Sequence, residues 1–364
     1  MYLEIKNLSV DLNEFQLQNI NLSVDKGEYL ILIGPTGSGK SVLLETIIGF
    51  YKQKTGNIIL KGKEISNLFP EDRNIGIVYQ DHVLFPNMNV YDNIAYGLKN
   101  KDFSKEEIKE KIKSLSKIMG IDHILNRSIT NLSGGESQRT ALARALIVEP
   151  EIILMDEPFS ALDVNTQEKL TELIKEIGKK FNTTFIHVSH NFNDIWNLAD
   201  RVGVMSDGII HQINTVSEVF SKPENNFVAK FVGIQNIFKG RIKTAFDNCV
   251  KVKIGENLYI HSTDYPRYDE CMDNKEVMVA IRPENIIFSN EPFKSSARNT
   301  IKSKVIKCIE SGPIIRVNSK IDNLIFKGIL TKNSYDSLEI KEGKEIYLTF
   351  KSLNVKILDS YKSL

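Results

Sequence analysis

A glycine-rich segment directly after an apolar run constrains this chain more than any other feature of its sequence. Tyr29–Ile33 is an unbroken apolar run typical of a buried strand, and residues 42–48 have apolar side chains at helical spacing. Eight residues lie between this apolar run and the helical spacing, and they fit the pattern G-x-x-x-x-G-K-S: Gly34, Pro35, Thr36, Gly37, Ser38, Gly39, Lys40 and Ser41. This order of strand, glycine loop and helix predicts a phosphate-binding loop.

The residue types in this phosphate loop, residues 34–41, suit ATP and Mg²⁺. Glycines allow backbone N–H groups to close around a phosphate, and the helix N-terminus adds its dipole. Lys40 can reach the β- and γ-phosphate oxygens, and the Ser41 hydroxyl can bind Mg²⁺. We therefore expect all eight residues to contact ATP.

Two carboxylates follow a second buried-strand run at residues 152–155. Asp156 can hold Mg²⁺, while Glu157 can polarise a water for in-line attack on the γ-phosphate. We expect Asp156 as a metal ligand and Glu157 as the general base.

The spacing of apolar residues divides the chain at about residue 235. Before it, strand-like runs at 184–188 and 202–205 each follow a helical pattern, which predicts a largely parallel sheet with helices on both faces. A capping box of Ser104 and Glu107 begins one helix, and residues 85–150 are expected to be mostly helical. After it, strand-like alternation predicts an all-β domain. The expected domains are residues 1–235 and 236–364.

Composition narrows the classes of protein further. The 364 residues are 41% hydrophobic and 26% charged, which excludes wholesale disorder and fibrous repeats. A net charge of +1 offers no general attraction for nucleic acid, so no nucleic-acid partner is expected. Cys249, Cys271 and Cys308 fit neither a disulfide framework nor a tetrahedral zinc site. Without an apolar stretch near the ~18 residues that span a bilayer, membrane attachment would require a partner.

The segment that opens a helix between the two phosphate motifs decides the family that this chain resembles. This signature segment, residues 132–139, reads Leu-Ser-Gly-Gly-Glu-Ser-Gln-Arg. With the phosphate loop and Asp156, it resembles the ABC ATPases. The resemblance implies an α/β P-loop domain, with a RecA-like core and a helical subdomain at about residues 85–150.

Further motifs of that family can be placed on single residues. Gln80 resembles the glutamine that links Mg²⁺ and the γ-phosphate to the membrane partner, and Asp163 the aspartate that crosses the dimer. His190 is similar to the switch histidine that contacts the γ-phosphate, and Asn191 follows it where an acid is frequent. His187 is interpreted as a core or surface histidine rather than a second switch.

The family's dimer sandwiches two ATP molecules. The resemblance implies that the phosphate loop of one copy faces Ser133, Gly134, Gly135 and Glu136 of the other. A groove beside Gln80, extending to about Leu98, would receive a helix of the membrane subunit, and Phe85 and Met88 fit either this groove or the core equally.

Adenine usually stacks on an aromatic side chain near the first strands in this family. Leu12 occupies the aligned position, and Phe15 follows three residues later. We expect Phe15 to support adenine.

The second domain resembles the β-barrel tail of import ATPases, with an OB-like, MOP-type segment at about residues 290–360. Arg282-Pro283-Glu284 and the segment 296–299 carry the first likeness, and residues 330–334 the second. That fold binds a tetrahedral dianion through hydroxyls, N–H groups and a cation. The expected oxyanion ligands are Ser296, Arg298, Thr331, Lys332 and Ser334. The open alternative is a barrel whose polar rim only spaces the dimer.

The overall pattern most closely resembles the ATP-binding subunit of a molybdate/tungstate importer, and sulfate or thiosulfate import competes closely. The implied partners are a second copy, membrane permease subunits, an extracytoplasmic binding protein and the oxyanion, with the chain held at the cytoplasmic face by the permease. Chromosome-maintenance ATPases are disfavoured, because the residues between Lys40 and Asp156 carry no sustained heptads. An oxyanion store or sensor would leave the ATPase motifs unexplained.

Overall fold

The computed structural model describes residues 1–99, 101–160, 162–246, 249–264 and 274–359. They belong to two compact units, Met1–Ser217 and Glu218–Leu364. This division precedes the domain boundary at residue 235 that the sequence suggested. Ala161, Cys271 and the last five residues of the expected second domain lie outside the described residues.

Ten strands among the described residues of the first unit form two sheets. They are β1 Leu3–Asp11, β2 Gln16–Val24, β3 Tyr29–Ile33, β4 Thr55–Leu60, β5 Lys63–Glu64, β6 Ile75–Val78, β7 Ile152–Asp156, β8 Thr184–Val188, β9 Arg201–Ser206 and β10 Ile209–Thr215. One sheet has the order β2-β1-β4-β5 with antiparallel pairing, and the other has the order β10-β9-β3-β8-β7-β6. From β9 to β6 the second sheet is parallel, as predicted.

Helices lie between these strands and after the last of them. Between the strands are α1 Lys40–Ile48, α2 Val90–Ala95, α3 Lys105–Met119, α4 Gly134–Leu146, α5 Val164–Phe181 and α6 Phe192–Leu198. After β10 come α7 Val216–Ser221 and α8 Asn226–Phe231, and α8 lies in the second unit. The predicted capping box begins α3, because Ser104 Oγ accepts a hydrogen bond from the Glu107 N–H at 3.2 Å and Glu107 Oε2 accepts one from the Ser104 N–H at 2.7 Å. No helix among the described residues is long and apolar enough to cross a membrane.

The parallel strands form the core of the first unit. Every residue of β3 and β8 is buried, since helices cover both faces of such a sheet. Leu30, Leu32 and Leu154 are fully buried. Burying a side chain of this size stabilises the folded state by about 1.5–3 kcal/mol relative to leaving it exposed to water. This core fixes the carboxyl ends of β3, β8, β7 and β6 in one row.

The part of the second unit that follows α8 is mostly β-strand, with one short helix among its described residues. Its elements are β11 Asn236–Phe246, β12 Cys249–Lys253, β13 Tyr259–Ser262, β14 Glu276–Ile281, β15 Ile287–Ser289, β16 Asn299–Ser311, β17 Ile314–Ile321, β18 Leu324–Thr331, α9 Lys332–Ser337, β19 Glu345–Phe350 and β20 Val355–Asp359. They form two five-stranded antiparallel sheets, with the orders β13-β12-β11-β14-β20 and β15-β19-β16-β17-β18.

Two buried asparagines join these two sheets. Asn236 Nδ2 donates to the Lys327 carbonyl at 2.8 Å, and Asn236 Oδ1 accepts from the Lys327 N–H at 2.6 Å. Asn299 makes the same pair of bonds with the backbone of His261, at 2.9 and 2.7 Å. Each side-chain amide thus makes the two hydrogen bonds that the backbone of a neighbouring strand would otherwise make, at the place where the sheets meet.

Candidate active site

The phosphate loop needs glycine at three of its positions. Gly37 and Gly39 have φ angles of 80° and 98°, in the left-handed region that glycine adopts without a steric penalty. A Cβ at Gly34 would lie 2.0 Å from the backbone oxygen of Met205. The loop therefore closes tightly between β3 and α1 for a steric reason that the sequence pattern implied.

Lys40 lies inside the curve of this loop. Its Nζ donates to the Gly34 carbonyl at 3.0 Å, the Pro35 carbonyl at 2.9 Å and Ser38 Oγ at 3.1 Å. Burial lowers the pKa of Lys40, and the nearby carboxylates of Glu157 and Asp156 act in the opposite direction. The ammonium is thus held against the first turn of the phosphate loop by two backbone carbonyls and one hydroxyl.

Asp156 and Ser41 form the pair that would hold a cation. Asp156 ends β7 and accepts a hydrogen bond from the Ser41 side chain. Burial raises the pKa of Asp156, and the charge of Glu157 adds to the rise. A divalent cation would offset this cost, so the pair fits Mg²⁺. The described residues contain no cluster of three or more His, Cys, Asp or Glu, so phosphate and water would complete the shell.

Strand register brings the predicted residues together. Leu32 of β3 is level with Val188 of β8, and Val188 is level with Asp156 of β7. Val78 of β6 is level with Met155, so Gln80, two residues beyond the strand, lies beside the end of β7. Gln80 is exposed. The phosphate loop and the residues that follow β8, β7 and β6 therefore share one edge of the sheet.

Glu157 and His190 are in direct contact. Glu157 Oε2 lies 3.1 Å from His190 Nδ1, and the two side chains are 26% and 64% exposed. The φ angle of Glu157 is 45°, a left-handed conformation that costs a non-glycine residue of order 1–3 kcal/mol. Its N–H donates to the Val188 carbonyl at 2.9 Å, and its carbonyl accepts from Ser160 Oγ at 3.0 Å. Strained backbone thus places this carboxylate toward the histidine.

The signature segment and Asp163 line one cavity of the first unit. Ser133 caps α4, with its N–H donating to Glu136 Oε2 at 2.8 Å, and this bond lowers the pKa of Glu136. Asp163 caps α5 through the Thr166 N–H at 3.1 Å. The cavity, of about 300 Å³, is lined by Ser133, Gly134, Gly135, Glu136 and Asp163, among others. Glu157 and His190 line a separate cavity of about 90 Å³.

Phe15 lies against the phosphate loop. A Cβ at Gly39 would come within 2.5 Å of Phe15 Cζ, so the ring and the loop are in contact through this glycine. Leu12 and Phe15 are both half-buried, and the Leu12 N–H donates to the Phe15 carbonyl at 2.9 Å.

Comparison with known proteins identifies the family. The ABC transporter model matches residues 17–160, and the TOBE domain model matches residues 295–357. The chain is 42% identical over 355 residues to the molybdate/tungstate import ATP-binding protein of Pyrococcus abyssi (strain GE5 / Orsay), covering 98% of this chain and 99% of that one. The chain belongs to the ABC transporter family. It is an ABC ATPase, as the motifs predicted, with an OB-like TOBE domain in its second unit.

Other relatives of this ABC ATPase carry different names. The spermidine/putrescine import ATP-binding protein of Borreliella afzelii (strain PKo) is 40% identical over 292 residues, which is 78% of this chain and 80% of that protein. Among solved structures, a dimeric ATP-binding cassette in a post-hydrolysis state, bound to ADP and Pi, aligns with a TM-score of 0.53 and 29% identity. That alignment covers 59% of this chain and 98% of the other.

Two hydrogen-bonded pairs behind the ABC ATPase motifs were missed from the sequence. Fully buried His187 meets Tyr29 Oη at 3.0 Å through Nδ1, and burial lowers the pKa of His187 to about 3, which makes it a neutral core residue. Ser189 Oγ donates to Asp194 Oδ2 at 2.5 Å and accepts from the Asn191 N–H at 2.9 Å. A serine two residues before the N-cap of a helix, with an acid in the first turn of that helix, was the available signal for this second pair.

The expected groove residues of this ABC ATPase are only partly accessible. Phe85 and Met88 are half-buried, and the Phe85 ring lies 4.4 Å from the ring of Tyr96. Val83 and Tyr96 are 55% and 47% exposed. Val83 and Tyr96, which the sequence did not single out, are therefore more exposed than Phe85 and Met88.

The expected oxyanion ligands occupy opposite ends of β16 within one chain. Ser296 and Arg298 precede the strand and are exposed, whereas Thr331 is level with Ile314, which is level with Ser311 at the other end. The 13-residue strand has a length of about 40 Å. Lys332 Nζ pairs with Glu310 at 2.8 Å, and Thr331 Oγ1 accepts from the Ser334 N–H at 3.3 Å. A site that uses both groups would need two chains.

Proposed function

We propose that this ABC ATPase powers the import of molybdate or tungstate through a separate membrane permease. The observation that carries the proposal is the 42% identity to a protein of that name over 98% of this chain, which includes both units. The similarity to a spermidine/putrescine import protein covers 78% of the chain and makes polyamine import the second candidate. Sulfate or thiosulfate import remains the alternative among anions.

Hydrolysis is assigned to the residues at the strand ends. The phosphate loop binds the phosphates through its N–H groups and the Lys40 ammonium. Ser41, Asp156 and Gln80 would hold Mg²⁺, which supplies positive charge beside the β- and γ-phosphates. Glu157 accepts a proton from the attacking water. His190 orients that carboxylate through the 3.1 Å contact and lies exposed enough to reach a γ-phosphate oxygen.

The complete site is proposed to form between two copies. Ser133, Gly134, Gly135 and Glu136 line a cavity separate from that of Glu157 and His190, so the phosphates would be held by the signature segment of the partner copy. Helix N-termini on both sides would then face the triphosphate. Asp163, which lines the same cavity as the signature segment, would contact the partner. The permease would hold the dimer at the cytoplasmic face of the membrane, and an extracytoplasmic binding protein would deliver the anion.

Co-purification tests the assignment to a transporter. Co-expressed with its permease, the full chain should be retained by a tag on the permease, and ATP hydrolysis by the complex should depend on both. Failure to bind any membrane subunit, with ATP hydrolysis intact, would contradict the transport role and favour a store or sensor.

Phe15→Ala should raise the KM for ATP about 2- to 10-fold and leave kcat nearly unchanged. The reason is that an aromatic face contributes roughly 0.5–1.5 kcal/mol beyond burial, and adenine takes no part in the reaction. Steady-state ATP hydrolysis measures both constants. Phe69→Ala, which removes a ring that is 71% exposed, is the control. An unchanged KM in Phe15→Ala would make Phe15 a packing residue only.

The TOBE domain is proposed to sense the transported oxyanion, with Ser296 and Arg298 of one copy and Thr331, Lys332 and Ser334 of another as ligands. If binding favours a subunit separation different from the ATP-bound one, linkage requires the anion to oppose closure, with a coupling of about 1–3 kcal/mol. The anion should then weaken ATP-driven closure about 5- to 150-fold, and ATPase activity of the assembled transporter should fall as molybdate or tungstate is added.

Sulfate is the control that distinguishes oxyanion sensing from an effect of ionic strength. At the same concentration as molybdate, it should lower the ATPase activity weakly or not at all. Arg298→Ala should abolish the response, whereas Arg316→Ala, which removes another exposed arginine of the same unit, should keep it. Loss of the response in both variants, or none in the parental chain, would contradict a built oxyanion site and leave the polar rim as a spacer.

A further inference from the structure

The outer face of one sheet in the second unit is strongly basic. Along β11, the side chains of Phe238 and Ile242 belong to the hydrophobic core, so those of Lys239 and Arg241 point outward. Strand pairing places Arg241 level with Lys253 of β12, which therefore lies on the same outward face. Three basic side chains thus lie together on two neighbouring strands.

A β-bulge adds a fourth basic residue to this face. The pairing of β11 with β12 shifts between Ile242 and Thr244, so Lys243 is an extra residue of β11 at this point. Such a bulge turns the side chain of the extra residue away from the regular alternation. The Lys243 ammonium donates to Asn274 Oδ1, and this neutral amide does not offset its charge.

These four residues surround a cavity of about 360 Å³, which we call the basic cavity. It is lined by Lys239, Arg241, Lys243, Lys253 and Glu276, among others. The volume lies within the range of small-molecule sites. Four cations against one carboxylate leave a surplus of three positive charges. The lining therefore favours an anionic ligand.

Glu276 offsets only part of this charge. Its Oε1 lies 2.8 Å from Arg241 Nη2, and the two side chains are 46% and 62% exposed. The hydrogen bond from Arg241 lowers the pKa of Glu276, and the charges of Arg241 and Lys239 lower it further. Glu276 is the one acid among the described residues that line the basic cavity. Its removal would therefore make the cavity more attractive to anions.

The number and spacing of the cations indicate the size of the anion. Lys239 and Arg241 are two residues apart along β11, so their Cα atoms are about 7 Å apart, and Lys253 lies on a strand about 4.8 Å away. A tetrahedral dianion would offset two of the three surplus charges, whereas linked phosphates offset all three along their length. Lysine binds phosphate as a point charge with three rotating donors, which suits a flexible phosphate chain.

We propose that the basic cavity binds a small molecule with two or three linked phosphates, either a nucleoside polyphosphate or an inorganic polyphosphate. Lys239, Lys243 and Lys253 bind the phosphates, and Arg241 contacts them beside Glu276. The site is separate from the phosphate loop, because it lies in the second unit. Its described lining contains none of the five expected oxyanion ligands. The proposal is independent of which substrate the transporter imports.

Calorimetric titration of the full chain with inorganic triphosphate tests the proposal. Two sites per chain are expected, namely the phosphate loop and the basic cavity. Lys40→Ala should weaken the first site and leave the second at its parental Kd. Lys239→Ala combined with Lys253→Ala should do the reverse and raise the Kd of the second site about 5- to 30-fold. Each exposed charge pair contributes up to about a fivefold change in Kd, which sets this range.

Glu276→Gln is the decisive variant, because its effect has the opposite sign. The substitution keeps the shape of the side chain and removes the negative charge from the cavity lining. It should lower the Kd of the second site about 2- to 5-fold, whereas a change that only disturbed the fold would weaken binding. Lys320→Ala removes an exposed lysine from the other sheet of the same unit and should leave both Kd values unchanged.

Titration with guanosine triphosphate distinguishes the two sources of linked phosphates. Tighter binding at the second site than for inorganic triphosphate would identify a nucleotide ligand. Equal Kd values would mean that only the phosphates are recognised, as expected for an inorganic chain.

Several outcomes would overturn the proposal. A single site per chain that Lys40→Ala removes would leave no ligand for the basic cavity. Weaker binding by Glu276→Gln, or equal weakening by Lys320→Ala and the double lysine variant, would contradict a built site. Molybdate or oligothymidylate that bound at the second site more tightly than inorganic triphosphate would assign it to another class of anion. None of these titrations needs the permease, so a failed import assay would leave their outcome intact.

Discussion

Glu157→Gln is expected to lower kcat for ATP hydrolysis about 10²- to 10⁴-fold, the range that general base catalysis contributes. Glutamine keeps the shape of the side chain and can still bond to His190, but it cannot accept a proton from the attacking water. ATP binding should persist, because Lys40 and the loop N–H groups are unchanged. The variant should therefore accumulate as an ATP-bound dimer, which size-exclusion chromatography with ATP and Mg²⁺ would detect.

Glu149→Gln is the matched control for this change. Glu149 is also a glutamate with positive φ, at 55°, but its side chain is 76% exposed and pairs with Lys111. Its replacement should leave kcat and the elution volume at parental values. Parental hydrolysis by Glu157→Gln would remove the general base from this account and require another proton acceptor among the strand ends.

Lys40→Ala is expected to weaken ATP binding by about one to two orders of magnitude. The reason is that a hydrogen bond to a charged group contributes about 1.5–3 kcal/mol, and every 1.4 kcal/mol is a tenfold change in Kd. The substitution also removes the ammonium that joins the Gly34 and Pro35 carbonyls to Ser38. Calorimetric titration with ATP and Mg²⁺ measures the change in Kd directly.

Lys54→Ala controls for the loss of a positive charge from the first unit. Lys54 is exposed and pairs with Asp11 at 2.9 Å, so the Kd for ATP should stay at the parental value. ATP also raises the Tm of the parental chain, by an amount that grows with the logarithm of the ATP concentration divided by Kd, and of the two variants only Lys40→Ala should show a smaller shift. An unchanged Kd in Lys40→Ala would mean that the loop N–H groups suffice for phosphate binding.

Local features of the fold could be read from the sequence because their causes are local. The phosphate loop combines glycine conformation with the start of a helix, and both depend on a few consecutive residues. The capping box at Ser104 depends on one spacing. The parallel sheet followed from apolar runs that alternate with helical patterns, since strands covered on both faces need no polar residues. The row of site residues at one sheet edge then follows from parallel strand direction.

Features that depend on distant packing could not be predicted in this way. Arg241, Lys253 and Glu276 meet through the pairing of three strands, and nothing in the residues next to each of them marks the cavity that they line. The separation of Ser296 from Thr331 follows from the length of β16 and from its pairing with the next strand. The residue types that suit an oxyanion site give no information on either. The antiparallel sheet of β1, β2, β4 and β5 also depends on register between strands far apart along the chain.

Substrate uptake by the reconstituted transporter tests the central claim most directly. The full chain, its permease and the extracytoplasmic binding protein, in vesicles with ATP and Mg²⁺, should accumulate molybdate or tungstate, with sulfate and putrescine competing weakly. Vesicles with Glu157→Gln should accumulate none, which ties uptake to hydrolysis. Uptake of putrescine or sulfate in preference to both oxyanions, by a complex that hydrolyses ATP, would contradict the molybdate/tungstate assignment.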